Sequence, residues 1–413
     1  MALTMLPDGA WSVTAKQVVE YAVRPVPNVL NGTFEIPGPD SAECDLLGRT
    51  PAGSMRRLVV VDREVMRLYG RQVRGFLDRH GIEYRLLVLP GGEATKTMRT
   101  VLRVCRELDD FGIARRSEPV IVFGGGVLND VVGMAASIYR RGIERIVYGT
   151  TLVALVDATV GAKTASDHNG FKNRLGTYRP ARLVIADRSF LATQERRRLS
   201  DGLAEILKLG IVCDKSLFEL LEDYGGLVLD ERFQAATPTA DAAATQIIED
   251  GIKVMLTELH ENLWEGELAR ATYFGHTWSP KVEMEALRRS RSPLAWRRRR
   301  WLLHGEAVAL DMLLSVSIAC SRGLISESEL DRIVAVVRQL DLPTWDPLLD
   351  EPAILAAGLE DSVRHRDGEQ LAPLPESIGS VTYANDITPA EVTAAVDWMR
   401  SLRKSDNRET RHG

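Results

Sequence analysis

The chain has 413 residues, of which 45% are hydrophobic and 26% charged, and its formal net charge is −5. That length exceeds one hydrophobic core and points to two domains. The acidic balance excludes general nucleic-acid affinity, so an anionic ligand needs a local basic pocket. Cys44, Cys105, Cys213 and Cys320 are widely spaced and form no CxxC, which points to free thiols in a reducing, cytoplasmic setting. No basic start followed by an apolar core opens the chain, so no signal peptide is read, and no apolar run is long enough to span a bilayer.

In chain order, the first fifty-odd residues are mixed, with an edge strand expected within "KQVVEYAVRPVPNVL" and a loop at "NGTFEIPGPDSAEC". From Arg56 the pattern sharpens. "RRLVVVD" reads as a strand ending in Asp62, then a helix stopped by Gly81, then the strand "YRLLVLP". A helix at "TMRTVLRVCRELDDFG", a strand at "PVIVFGGG" and a helix at "LNDVVGMAASIYRRG" follow, then strands at "RIVYGT" and "RLVIAD". Buried apolar strands alternating with helices predict a mostly parallel sheet covered on both faces. After about Ser200 the segments read as helices, so the second half is expected to be a helical domain. A basic insertion, "RRSRSPLAWRRRRW", reads first as a solvated surface segment and second as a lid or phosphate contact.

Gly124, Gly125 and Gly126 sit between a strand and a helix. Glycines allow close backbone approach, and the helix start offers unpaired N–H groups to a pyrophosphate. The triplet is not GxGxxG, so the ordinary dinucleotide fingerprint is absent. Asp62 ends a strand, where a carboxylate caps a turn or accepts ribose hydroxyls; Thr150 and Thr151 end another. Glu93 and Lys96, in "GGEATKT", follow a strand end and fall in the crevice of such a sheet.

The block "LVDATVGAKTASDHNGFKNRLGTYRP" is too polar and glycine-rich for a plain core element. Lys163, Lys172 and Arg174, with Arg141 from "YRRG", suit an anion; Asp157, Asp167, His168 and Asn173 suit hydroxyls. A solvated loop is the rival reading.

"SDGLAEILKLG" is expected to begin at Ser200 as a helix cap, with Glu205 and Lys208 three apart on one face. A glutamate in so apolar a helix is costly unless paired or metal-bound. With His276 of "FGHTWSP" and His304 of "LLHGEAVAL" it makes the Glu/His/His donor class of catalytic zinc. Of the other histidines, His80 reads as a helix-end cap and His260 as exposed.

From about Arg56 to Gly379 the sequence resembles the dehydroquinate-synthase-like sugar phosphate cyclases. The resemblance rests on "PGGEATKT", "GGGVLNDVVGMAASIYRRG", "TTLVALVDATVGAKT", "KNRLGTY", "GLAEILKLG", "FGHT" and "LLHGEAVAL". It implies an α/β N-terminal domain over 1–198, with a mostly parallel sheet and a Rossmann-like NAD site. A mainly α-helical metal- and substrate-binding domain follows over 199–413. It implies Glu205, His276 and His304 as ligands of a divalent metal, Zn2+ or else Co2+. Asp62, Glu93, Lys96, Gly125, Gly126, Asp130, Thr150 and Thr151 then contact NAD+. Asp157, Lys163, Lys208 and Lys253 line the substrate, while Arg141, Lys172 and Asn173 contact its phosphate and hydroxyls. A homodimer, with neither nucleic acid nor membrane as partner, is also implied.

Departures from the dehydroquinate synthase pattern point to a branch. "ELARATYFGHTWSP" places Ala269 where those enzymes carry a carboxylate-recognising arginine, Tyr273 where they carry asparagine, and Pro280 where they carry a second histidine. Arg270, one residue on, stands near enough to compensate. "GHTWSP", "HNGFKNRLGTY" and "RHRDGEQLAPLP" look most like the 2-epi-5-epi-valiolone synthases, and that likeness directs His365 and Arg366 towards the substrate. It implies cyclisation of sedoheptulose 7-phosphate with loss of phosphate, through transient NAD-dependent oxidation, elimination, reduction and intramolecular aldol addition. Dehydroquinate synthase, 2-epi-valiolone synthase and desmethyl-4-deoxygadusol synthase are the alternatives within the family. A metal-dependent polyol dehydrogenase and a noncatalytic sugar-phosphate-binding homologue are those outside it.

Overall fold

The computed structural model describes residues 2–32, 47, 55–234, 237–290 and 302–409. Cys44 and most of the basic insertion lie outside the described residues. The chain opens with an antiparallel hairpin of β1 (Ala2–Met5) and β2 (Trp11–Thr14), which the mixed composition of this region had concealed. There follow β3 (Ala22–Pro25), β4 (Arg56–Asp62), α1 (Arg63–Arg79), β5 (Glu83–Leu89), α2 (Met98–Phe111), β6 (Val120–Gly124), α3 (Gly126–Ile138) and β7 (Arg145–Gly149). Next come β8 (Lys163–His168), β9 (Phe171–Tyr178) and β10 (Leu183–Ala186).

Six strands form one parallel sheet in the order β3-β10-β7-β6-β4-β5. Its alternation divides the core in two. Leu58 and Val60 of β4 pack with Val101, Val104 and Leu108 of α2 and Val131 and Val132 of α3. Val59 and Val61 pack with Val73, Phe76 and Leu77 of α1 on the opposite face. The chain crosses from β5 back past β4 to β6, so the strand order switches direction there, and a crevice opens at the carboxyl ends of the strands.

The polar block folds as the antiparallel hairpin β8–β9 rather than as a loop. His168 pairs with Phe171, and the two residues between them, Asn169 and Gly170, both have positive φ, 49° and 78°. Asn-Gly in a two-residue hairpin turn is the signal that identifies this element.

The second half contains α4 (Arg196–Val212), α5 (Lys215–Asp230), α6 (Pro238–Glu261), α7 (Ser279–Ser290), α8 (His304–Ser321), α9 (Glu327–Gln339) and α10 (Pro352–His365). A small hairpin, β11 (Ala372–Ser377) with β12 (Ser380–Ala384), and α11 (Pro389–Glu409) complete it. The middles of α4 and α8 are buried on all sides, as for helices at the centre of a core. Ser200 is not the cap of α4: the helix starts four residues earlier, after Glu195, and the buried Ser200 hydroxyl donates back to the Arg196 carbonyl at 3.3 Å. Arginines are good helix formers, so "RRRL" extends the helix upstream. Pro280 falls in the first turn of α7, where its missing N–H would be unpaired in any case. No helix among the described residues is long and apolar enough to cross a membrane.

Candidate active site

α4, the loop before α7 and the first residue of α8 bring Glu205, His276 and His304 together. One ligand atom of each lies within 4.8 Å of the others. Glu205 is fully buried, and its Oε1 stands 3.1 Å from His304 Nε2 and 4.0 Å from His276 Nε2. That oxygen has no hydrogen-bond partner, while Oε2 accepts from Lys208 Nζ at 2.5 Å. Burial pushes the Glu205 carboxyl up, but Lys208, His304 and His276 hold it well below the ordinary range. Burial, with the nearby Lys208 charge, pushes His276 down to about 3, so it is neutral at pH 7, as a ligand must be. His276 Nδ1 lies 3.1 Å from the Phe274 carbonyl, which leaves Nε2 facing the carboxylate. An orphaned buried carboxylate oxygen facing two imidazole Nε2 atoms fits a divalent metal of the zinc class.

A second layer holds His304. Glu283 of α7 places Oε2 2.9 Å from His304 Nδ1 and accepts from Lys172 Nζ of β9 at 2.6 Å. Burial and the Lys172 charge lower the His304 pKa, yet Glu283 and Glu205 raise it to about 10. His304 Nε2 therefore faces the unpartnered Glu205 Oε1 across 3.1 Å, the place a cation would take. Carboxylates behind ligating histidines typically hold 10–100-fold in metal affinity. Glu283→Gln keeps the shape and removes the charge, so zinc affinity is expected to fall by roughly that factor. Competition with a calibrated chelator checks it; an unchanged affinity would show that Glu283 serves packing alone.

The network continues into the crevice of the sheet. Lys172 also lies 3.8 Å from Glu93. Lys96, buried, is 2.5 Å from Asp130 and donates to Asn173 Oδ1 at 2.5 Å. At the strand ends, Gly125 precedes α3 and Gly126 begins it. A Cβ on Gly126 would meet the Ala158 Cβ at 2.8 Å, and one on Gly125 would meet the Thr151 side chain at 3.0 Å. The bare backbone is therefore required, and it leaves the first N–H groups of α3 open to a phosphate. Thr150 N donates to the Gly124 carbonyl at 3.1 Å, and Thr151 Oγ1 accepts from Ala154 N at 3.2 Å. Asp62 caps α1 by accepting from Glu64 N at 2.7 Å and lies against Gly91, where a Cβ would stand 2.3 Å from its Oδ2. These residues fit a dinucleotide.

The rim facing the metal set is charged and aromatic. Arg270 is buried and ion-paired with Glu265, which also binds Lys163 Nζ at 2.8 Å and accepts from the Tyr178 hydroxyl at 3.0 Å. Burial pushes Glu265 up, but Lys163 and Arg270 bring it down to about 2. Tyr273 is held between the guanidiniums of Arg270 and Arg366, each 4.4 Å from its ring centroid, and His365 stacks on it at 5.8 Å. The charge of Arg270 is thus committed to Glu265, and Ala269 leaves no arginine fork at its own position.

Two expected residues are not gathered here. Arg141 is exposed, with φ +63°, and follows the far end of α3, a helix of ~20 Å that starts at the crevice. Lys253 is exposed on α6 and lines a separate surface groove with Pro25, Leu256 and His260. Conversely, Glu283 and Asp311 escaped sequence reading. Both had the same signal, a carboxylate on a buried helical face. Glu283 joins Ser279, Val282 and Ala286 on the inward stripe of α7. Asp311 lies inside apolar α8 and accepts from Trp278 N at 2.5 Å and Ser279 N at 2.7 Å, fixing the start of α7 just after His276.

Two family models match the chain, 3-dehydroquinate synthase N-terminal over residues 86–201 and 3-dehydroquinate synthase C-terminal over 202–362. A 2-epi-5-epi-valiolone synthase of Streptomyces albus is 48% identical over 395 residues, 95% of this chain and 91% of the relative. A demethyl-4-deoxygadusol synthase of Trichormus variabilis is 39% identical over 391 residues, 94% of this chain and 90% of the relative. The solved structure of the 2-epi-5-epi-valiolone synthase ValA from Streptomyces hygroscopicus subsp. jinggangensis, with NAD+ and Zn2+ bound, is 42% identical with a TM-score of 0.84. That match covers 95% of this chain and all of the other. With the same fold, the same order of motifs and a buried Glu/His/His set beside a glycine crevice, the chain belongs to the 3-dehydroquinate synthase-like family of sugar phosphate cyclases, among relatives of the 2-epi-5-epi-valiolone synthases.

Proposed function

We propose that the chain is a 2-epi-5-epi-valiolone synthase, an NAD- and metal-dependent lyase that closes sedoheptulose 7-phosphate into a seven-carbon cyclitol with release of phosphate. One observation carries this reading: the buried Glu205, His276 and His304 set is joined through Glu283 and Lys172 to the glycine crevice, and on the neighbouring rim Ala269 offers no guanidinium while Arg270 is ion-paired with Glu265. A substrate ending in a neutral hydroxymethyl group suits Ala269; one ending in a carboxylate loses the charge-assisted pair that an arginine at that position would make. The relatives at 48% and 42% identity support the same branch.

When bound, NAD+ at the strand ends supplies reversible oxidation of a substrate hydroxyl, and Zn2+ or Co2+ at the Glu/His/His set polarises that oxygen. The chain supplies position and charge. Lys208 keeps Glu205 ionised, and the carboxylates of Glu205 and Asp157 raise its affinity for its own proton against burial. It therefore acts as a fixed ammonium that donates to an oxygen developing negative charge. Burial pushes the Asp157 carboxyl up even against Lys208, which suits a group that orients a hydroxyl and holds a proton. Lys172, Lys96 and Asn173 line one edge, and an arriving phosphate competes with Glu283 and Asp130 for the two ammoniums. Lys163 completes the rim beside Glu265.

The chain is further read as a cytoplasmic homodimer of two-domain subunits, 1–198 and 199–413. Unpaired thiols at Cys105, Cys213 and Cys320 support the compartment. The substrate reading is tested by supplying sedoheptulose 7-phosphate and 3-deoxy-arabino-heptulosonate 7-phosphate separately, with NAD+ and zinc, and measuring phosphate release. The neutral-ended sugar is expected to win by at least ~10-fold in kcat/KM, the size of one charge-assisted pair. Preference for the carboxylated sugar overturns the assignment.

A further inference from the structure

Arg145 opens β7 at the amino end of the parallel sheet and is 1% exposed. Its guanidinium lies against α3, where a Cβ on Gly133 would meet Arg145 Cζ at 3.1 Å and the Thr164 side chain of β8 at 2.5 Å. Nη1 donates to the Arg179 carbonyl at 2.8 Å, whereas Nε and Nη2 have no hydrogen-bond partner among the described residues. Those two nitrogens are one edge of the fork that grips a carboxylate with two parallel bonds. Leaving such an edge buried and empty is unfavourable, so it calls for a partner that reaches it at some stage. Burial pushes the Arg145 pKa down to about 10, and the carboxylate that opposes this most is Asp130. Asp130 stands three residues before Gly133, so the two share one face of α3, roughly 5–6 Å apart, with Asp130 nearer the crevice. Its Oδ2 is 2.5 Å from Lys96 Nζ. The other acid near Arg145, Glu144, already accepts from Arg179 at 3.0 Å.

We infer that Arg145 is a positioning residue of the active site, which receives Asp130 when a phosphate takes Lys96. The inference rests on the reading above, in which an arriving phosphate competes with Asp130 for that ammonium. Once Lys96 turns to the phosphate, Asp130 loses the partner that its Oδ2 has in the free protein. Only 16% of the Asp130 side chain is exposed, so the carboxylate left unpaired is strongly unfavourable and pulls Lys96 back. Turning the Asp130 side chain along α3 towards Gly133 brings it to Nε and Nη2 of Arg145. The number of ion pairs is then conserved: Lys96 passes from Asp130 to the phosphate, and Asp130 from Lys96 to Arg145. Arg145 touches neither substrate nor cofactor, yet it decides how much of the Lys96 charge the phosphate receives.

Titration of inorganic phosphate into the zinc- and NAD+-loaded protein tests this without requiring turnover. Arg145→Met is expected to weaken phosphate binding about 10-fold, the size of one charge-assisted pair. It is expected to melt close to the wild type, because an apolar side chain of similar length replaces a buried charge. Arg145→Lys keeps the charge and is expected to bind phosphate within about threefold of the wild type. The effect runs through Asp130, so in an Asp130→Asn background the change to Met is expected to alter the affinity less than about twofold. A crystal of the wild type with phosphate on Lys96 gives a check free of any variant, with Asp130 within hydrogen-bond distance of Arg145 Nε and Nη2. Asp130 still paired with Lys96 in that crystal, or an equal loss from Arg145→Met in both backgrounds, overturns the inference and leaves the phosphate reading. Phosphate affinity unchanged by Lys96→Met overturns the phosphate reading, and the inference with it.

Discussion

His304→Ala is expected to empty the metal site and abolish turnover while leaving NAD+ binding within about threefold of the wild type. His304 begins α8 and meets Glu205 through Nε2 and Glu283 through Nδ1, so its removal takes away one ligand and the target of the second layer. Two donors then remain, one fewer than catalytic zinc sites use. Polarisation by the metal is worth several kcal/mol, so turnover falls by on the order of 10³ or more. The nucleotide crevice is built by the ends of β4, β6 and β7 and the start of α3, none of which contains His304. Zinc content per chain and NAD+ titration read the two halves separately. A variant that retains stoichiometric zinc and full turnover would remove His304 from the site.

Gly305→Ala is expected to damage the same site by a different route, through packing. A Cβ on Gly305 would lie 2.0 Å from the Asp201 carbonyl oxygen and 2.9 Å from its Cα, and both belong to the backbone of α4. No flexible side chain is there to give way. The start of α8 must therefore move off α4, although it is tied there by Gly305 N donating to Asp201 Oδ1 and by the twofold Arg197–Glu306 pair at 2.6 Å. Overpacking of this kind costs roughly 3 kcal/mol. His304 moves with its neighbour, so lower zinc occupancy accompanies a lower thermal midpoint. Gly75→Ala, in α1 with only the tip of Arg79 3.5 Å away, is the control and is expected to be neutral or slightly stabilising. Equal melting of Gly305→Ala and wild type would mean that α4 and α8 have slack at this contact.

The parallel sheet was readable because its strands are buried on both faces and appear as unbroken apolar runs such as "RRLVVVD". The β8–β9 hairpin was hidden because its strands are polar and half exposed; Asn169–Gly170 was the mark to follow. Ser200 misled because a residue suited to capping also sits inside a helix by bonding back to a carbonyl. The gathering of Glu205, His276 and His304 was legible through cost, since a carboxylate in an apolar helix needs a partner. The same rule applied to Glu283 and Asp311 would have found the second layer. Arg141 and Lys253 show the limit. A letter gives the charge of a side chain, whereas the end of α3 or the side of α6 on which it falls is decided by packing among distant segments.

The most direct measurement follows phosphate release and absorbance of reduced cofactor together, with sedoheptulose 7-phosphate and the zinc- and NAD+-loaded protein, and identifies the product by NMR. Many phosphates per chain, no net accumulation of NADH and 2-epi-5-epi-valiolone as the carbocycle are the predicted result. NADH accumulating in step with oxidised sugar, or a different cyclitol as the product, would contradict it.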